Sequence, residues 1–135
     1  MNRLAILLFP ILTCCASITE VNSIADSKLN KFLGQKIAIY GTAVNSKLGA
    51  LLITKDGHIW IDAMKEWPNG YYLGGDSGKN LRVTGIVIEK YDLPVFIQNN
   101  GDLRKSEIPV PKGTDLKEAS HRYLLQDAKW EIVYY

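Results

Sequence analysis

Gly49–Asp62, GALLITKDGHIWID, decides the fold class of this chain. The run Gly49 to Thr54 is short, apolar and rich in Leu and Ile, and Ile59, Trp60 and Ile61 form a second such run closed by Asp62. Between them stand Lys55, Asp56 and Gly57, and Asp-Gly between two β-prone runs is the strongest short-range hairpin signal a sequence offers. The stretch therefore predicts two antiparallel strands and a mainly β domain.

Working outward, Lys36 to Ala43 alternates: Ile37, Ile39, Gly41 and Ala43 share one side, and Lys36, Ala38, Tyr40 and Thr42 the other, which predicts a strand. Leu81, Val83, Gly85 and Val87 alternate with Arg82, Thr84, Ile86 and Ile88, so a further strand has two apolar faces and belongs in a central or curved position. Between the hairpin and that strand, Pro68 and four glycines within Met64 to Gly78 rule out a long helix and predict a helical turn followed by a loop. After it, Asp92-Leu93-Pro94 turns the chain, Val95 to Ile97 offers a brief return strand, and Ile108 to Gly113, with Pro109 and Pro111, reads as an extended surface crossing. Tyr123 to Leu125 and Trp130 to Val133 are the last strand candidates, with Gln126-Asp127 as a bulge or bend between them. Asp26 to Gly34 places Leu29, Phe32 and Leu33 at helical spacing and stops at Gly34, a short lead-in helix.

The first 25 residues follow a different logic. Arg3 gives a positive start, and Leu4 to Ile18 is uncharged and apolar, the layout of a signal peptide. At about 15 residues it is shorter than the roughly 20 that span a bilayer. Ser23 and Ala25 form an A-x-A-like site, so 1–25 is expected to be removed and 26–135 to form a single domain without cysteine, exported to the periplasm or secreted. The competing reading is a lipoprotein signal, with Leu12, Thr13 and Cys14 preceding a lipid-modified Cys15 and the protein anchored to the membrane.

Two segments carry a resemblance. Gly34-Gln35-Lys36-Ile37-Ala38-Ile39-Tyr40-Gly41 and Gly78-Lys79-Asn80-Leu81-Arg82-Val83-Thr84-Gly85 resemble the first and fourth strands of OB-folds, in which glycine lets a strand coil where an inner-wall side chain would obstruct it. More narrowly, the chain resembles small exported bacterial proteins with OB-like domains and no assigned activity. The resemblance implies a small, curved, OB-like five-stranded barrel with a short N-terminal helix. The Gly-rich segment before the fourth strand and the long stretch from Lys90 to Tyr123 depart from the common layout. Such a fold hosts oligonucleotide, oligosaccharide and protein binders, so it selects no function.

With 16 basic and 14 acidic residues in 135, a net charge of +2 gives no reason to expect nucleic acid as a partner. Trp60, Trp67, Tyr71 and Tyr72 form the densest aromatic group and are the candidate ligand-binding residues; the alternative is that Trp60 fills the core and Trp67 with Pro68 caps one end of the barrel. Asp56, His58 and Asp62 lie on the hairpin, where turn and strand-end roles account for them without a metal. His121 stands near Glu118 and Arg122 in sequence, with no Ser or Cys nucleophile in a recognisable elbow. Asp76-Ser77-Gly78-Lys79 lacks the spacing of a phosphate loop. The expectation is a non-catalytic binding module of the bacterial envelope, without cofactor, holding a protein, peptide or glycan, with an inhibitor or immunity-type protein as one version. The alternative is a structural or envelope-stress accessory protein, lipid-anchored through Cys15.

Overall fold

The computed structural model describes residues 17–22, 25–72, 78–101 and 106–134. Most of the expected export signal lies outside them, as do Cys14 and Cys15 and part of the Gly-rich segment. The fold is mainly β. Its elements are β1 (Thr19–Val21), a 3-10 helix (Asp26–Phe32), β2 (Lys36–Ser46), β3 (Gly49–Ile53), β4 (His58–Ile61), β5 (Asn80–Tyr91), β6 (Val95–Ile97), β7 (Ile108–Val110), α1 (Leu116–Ala119) and β8 (His121–Ile132).

The hairpin read from Gly49–Asp62 is present: β3 and β4 pair antiparallel, Leu51 opposite Trp60 and Ile53 opposite His58, and Thr54 closes the turn by donating its backbone N–H to the Gly57 carbonyl at 2.8 Å. One sheet has the order β1-β2-β3-β4-β8-β5, and β5 also pairs with β2, so the pairings return to a strand already in the sheet. Within that ring β4 and β8 run parallel, while β2–β3, β3–β4, β2–β5 and β5–β8 are antiparallel. β5 lies between β2 and β8, the central position its two apolar faces predict.

Strand alternation separates two apolar layers. Ile37, Ile39, Ala43, Ala50, Leu52, Ile59, Ile61, Leu81, Val83, Val87 and Leu125 form the main core, joined by Leu29 of the 3-10 helix and by Trp67. On the opposite face, Leu51, Trp60 and Leu124 make a smaller cluster, against which Val44, Leu48, Ile88 and Leu93 pack. Gly41 and Gly85 are glycine for steric reasons. A Cβ at Gly41 would fall on the Ile53 carbonyl oxygen, and one at Gly85 would stand 2.9 Å from the Leu125 Cβ. Opposite Gly85 the β5–β8 register shifts, and Asp127 takes a φ of 53°, so the bend read at Gln126-Asp127 is a bulge inside one continuous strand.

Several expectations need correction. The lead-in segment is helical but of the tighter 3-10 form, with Leu29 buried and Gly34 ending it at φ 76°. Residues 62–72 hold turns and no helical turn. The crossing at Ile108 is partly regular, because β7 pairs in parallel with β6 in a separate two-stranded sheet. α1 was not read from the sequence; it starts where the Asp115 carboxylate accepts from the N–H groups of Lys117 and Glu118. β1 lies within the stretch expected to be removed on export, and in the full chain it pairs in parallel with β2, Thr19 opposite Ile37 and Val21 opposite Ile39.

Candidate functional site

The four aromatic residues singled out in the sequence do not converge. Trp67, Tyr71 and Tyr72 pack against the main core, whereas Trp60 belongs to the cluster on the other face. Trp67 is 4% exposed, and its indole Nε1–H donates to the Leu51 carbonyl at 2.8 Å. Its backbone N–H donates to Asn45 Oδ1 at 2.7 Å. Trp130, which alternation had placed only as a strand residue, meets Trp67 edge-on at 5.2 Å and Tyr71 at 6.1 Å. Tyr71 and Trp130 thus pack against the main core beside Trp67.

Trp60 is 7% exposed. Its ring is covered by the Arg122 guanidinium, 5.0 Å from the centroid, and His58 meets it edge-on at 6.2 Å. The guanidinium is in turn fixed by Asp92, with Arg122 Nε donating to Oδ1 at 2.6 Å and the terminal nitrogen to Oδ2 at 2.9 Å. Those hydrogen bonds hold the Asp92 carboxyl below its ordinary range, helped by the charges of Arg122 and Lys90 and opposed by partial burial. The register explains the arrangement. Trp60 stands opposite Leu124 in the parallel β4–β8 ladder, which brings Arg122 over the ring from the β8 side.

Around this stack two hollows adjoin. One, of about 560 Å³, is lined by Ser46, Leu48, Gly49, Lys47, Lys65 and Glu66 on one side and by Asp92, Leu93, Pro94 and Arg122 on the other. The second, of about 340 Å³, is lined by His58, Trp60, Leu93, Ile108, His121, Arg122 and Tyr123. Leu93 and Arg122 belong to both, so the hollows adjoin as one cleft that runs from the turn between β2 and β3 to the β4–β8 pair, walled in part by the chain that follows β5.

At the His121 end, the imidazole Nε2 lies 2.8 Å from Glu89 Oε2, and the ring stands between Tyr91 at 4.9 Å and Tyr123 at 4.6 Å. Burial, then the charges of Glu89 and Glu118, raises the Tyr91 phenol above its ordinary range. Asp62, one of the three hairpin groups, pairs with Lys90 at 2.6 Å. Among the described residues, no three His, Cys, Asp or Glu side chains gather as metal ligands, and no helix is long and apolar enough to cross a membrane.

Compared with protein-family models, with curated proteins and with solved structures, the chain matches none. Its site is therefore argued from its own residues. Those that line the cleft and were not singled out by sequence, Leu93, Arg122 and Tyr123, had one visible sign. The alternation of β8 places Arg122 and Leu124 on one face and His121 and Tyr123 on the other, but which face met Trp60 depended on a pairing between strands more than 60 positions apart in sequence.

Proposed function

We propose that the protein is a non-catalytic, exported binding module of OB-like architecture that holds an extended peptide segment of a protein partner in the cleft over β4 and β8. Support for the architecture is the ring β2-β3-β4-β8-β5 with its single parallel pair, together with the close approaches at Gly41 and Gly85 that a small, sharply curved barrel requires. The observation that carries the function is the elongated cleft itself, continuous through Leu93 and Arg122, with apolar and charged lining along its length.

A peptide is favoured over a glycan by what the aromatic rings are doing. Stacking on sugars needs an open ring face, and Trp60 has its face covered by Arg122 while Trp67 is buried in the core. What the cleft offers instead is Leu, Ile and Pro side chains beside Lys47, Lys65 and Glu66, a lining suited to backbone and side chains of an extended segment. Within the cleft Asp92 and Arg122 hold each other, and His121 is bonded to Glu89.

The test places a photo-crosslinking amino acid at Leu93 in the full chain, in the bacterial envelope, with Lys129 on a different face as the control position. One defined protein crosslinked from position 93 and not from 129 is expected, with the attachment mapped by mass spectrometry to a single segment of that protein. No crosslink at 93, or the same products from both positions, overturns the cleft as the binding site.

A further inference from the structure

The strand β1 lies inside the segment that a cut after Ala25 would remove, yet it is built into the fold. We infer that the exported precursor is cut before Thr19, giving a mature N-terminus between Cys15 and Thr19, so that the mature protein keeps β1 as its edge strand. The inference rests on the export reading above and narrows it to one stretch of chain.

Three independent contacts anchor β1. Thr19, Glu20 and Val21 pair in parallel with Ile37, Ala38 and Ile39, which pair on their other side with Gly85, Thr84 and Val83 of β5. Val21 packs against the main core. Glu20 forms an ion pair with Arg82, which also reaches Glu131 Oε1 at 3.5 Å, with Tyr40 beside the pair. One guanidinium thus ties β1 through β5 to β8, and the Arg82 hydrogen bond lowers the Glu20 carboxyl below its ordinary range. Asn22, just past the strand, lines a hollow with Tyr40, Thr42, Ile53 and Asn80.

Removal of residues up to Ala25 would take away each of these contacts. It would leave the N–H and C=O groups of residues 37–39 as an open strand edge, the feature that invites pairing with other chains. The sequence just upstream supplies alternatives to Ser23 and Ala25. Cys14 and Ala16, or Cys15 and Ser17, stand two apart and are small, as a signal peptidase requires, and Cys15 is the residue that a lipoprotein signal would modify. In each case one peptide bond is hydrolysed, water giving its hydroxyl to the new carboxyl end of the leader and a proton to the new amine of the mature chain.

The experiment expresses the full chain with its own signal in a bacterial host and reads N-terminal peptides by mass spectrometry from envelope and cytoplasmic fractions. An envelope protein beginning between Cys15 and Thr19, with or without lipid on Cys15, is expected. A mature protein beginning at Asp26 overturns the inference and leaves export standing. An uncut chain confined to the cytoplasm removes the export reading, and the inference with it. A second readout uses Glu20→Lys and Val21→Asp in the same full chain: both lower the melting temperature of the purified envelope protein. Variants whose mature mass and melting temperature equal those of the unaltered protein show that residues 20 and 21 were removed, which also overturns it.

Discussion

Trp67 separates a packing role from a ligand-binding role, and Trp67→Phe is the substitution that decides between them. The side chain is buried in the main core, and its Nε1–H meets the Leu51 carbonyl at 2.8 Å. Phenylalanine keeps an aromatic ring for the edge-on contact with Trp130 but has no donor, so a buried carbonyl loses a partner at a cost of about 1–3 kcal/mol. The smaller ring also leaves a void, adding about 1 kcal/mol. The sum, about 2–4 kcal/mol, corresponds to a fall in melting temperature of roughly 6–20 °C for a domain of this size. Trp67→Ala, which also loses the ring, is expected to cost about 3–5 kcal/mol. The bond from the Trp67 backbone N–H to Asn45 is retained in both variants, so the difference between them isolates the side chain. Urea unfolding followed by circular dichroism is the suitable assay, because tryptophan fluorescence would itself change. A Trp67→Phe protein within about 0.5 kcal/mol of the parent would refute the packing argument, since that is the scatter of ordinary surface substitutions. If such a protein also lost its crosslink from position 93, Trp67 would return to the list of binding residues.

Other outcomes follow from the same contacts. Gly41→Ala is expected to lower stability by at least about 2 kcal/mol in urea unfolding and to cost more than Gly85→Ala, because the added Cβ would fall on the Ile53 carbonyl oxygen in the first and stand no closer than 2.9 Å to Leu125 Cβ and 3.0 Å to the Gln126 carbonyl oxygen in the second. Arg122→Lys is expected to recover little of the loss caused by Arg122→Ala, about 1–3 kcal/mol, because an ammonium cannot make the two-point bond to Asp92 while lying flat over Trp60. The depressed carboxyl of Asp92 contributes stability that is present above its unfolded value and lost as pH falls through the lower folded one. Between about pH 5 and pH 2, unfolding midpoints of the parent are therefore expected to fall more steeply than those of Asp92→Asn, with the remaining slope in the variant including the share of Glu20.

The legible part of the fold was the part governed by local rules. The Asp56-Gly57 turn, the alternation of Lys36 to Ala43 and Leu81 to Ile88, and the bend at Gln126-Asp127 are properties of short stretches, and each is present. β1 was hidden for the opposite reason. Thr19–Val21 follows directly on an apolar export-like run, and three residues carry too little periodicity to be told from its tail. The parallel β6–β7 pair was hidden because Pro109 argues against a ladder, although an edge position lets a proline stand where no N–H is needed.

The candidate site was less legible because its chemistry is split between distant segments. Counting aromatic residues drew attention to Trp60, Trp67, Tyr71 and Tyr72, which crowd within a dozen positions of the chain, as nearness in sequence suggests nearness in space. Strand alternation breaks that link: Ile59 and Ile61 face the main core, so Trp60 between them must face the other layer. There its ring needed a cover, and the cover came from Arg122, held by Asp92 across the β5–β8 end. The guanidinium that occupies the tryptophan face also lines both hollows. Loss of Arg122 would therefore do two separable things, uncovering an aromatic face and widening the cleft where its two hollows adjoin. A gain of affinity for aromatic-stacking ligands such as oligosaccharides in Arg122→Ala, absent in the parent, would show that the guanidinium is what keeps this face from binding sugars.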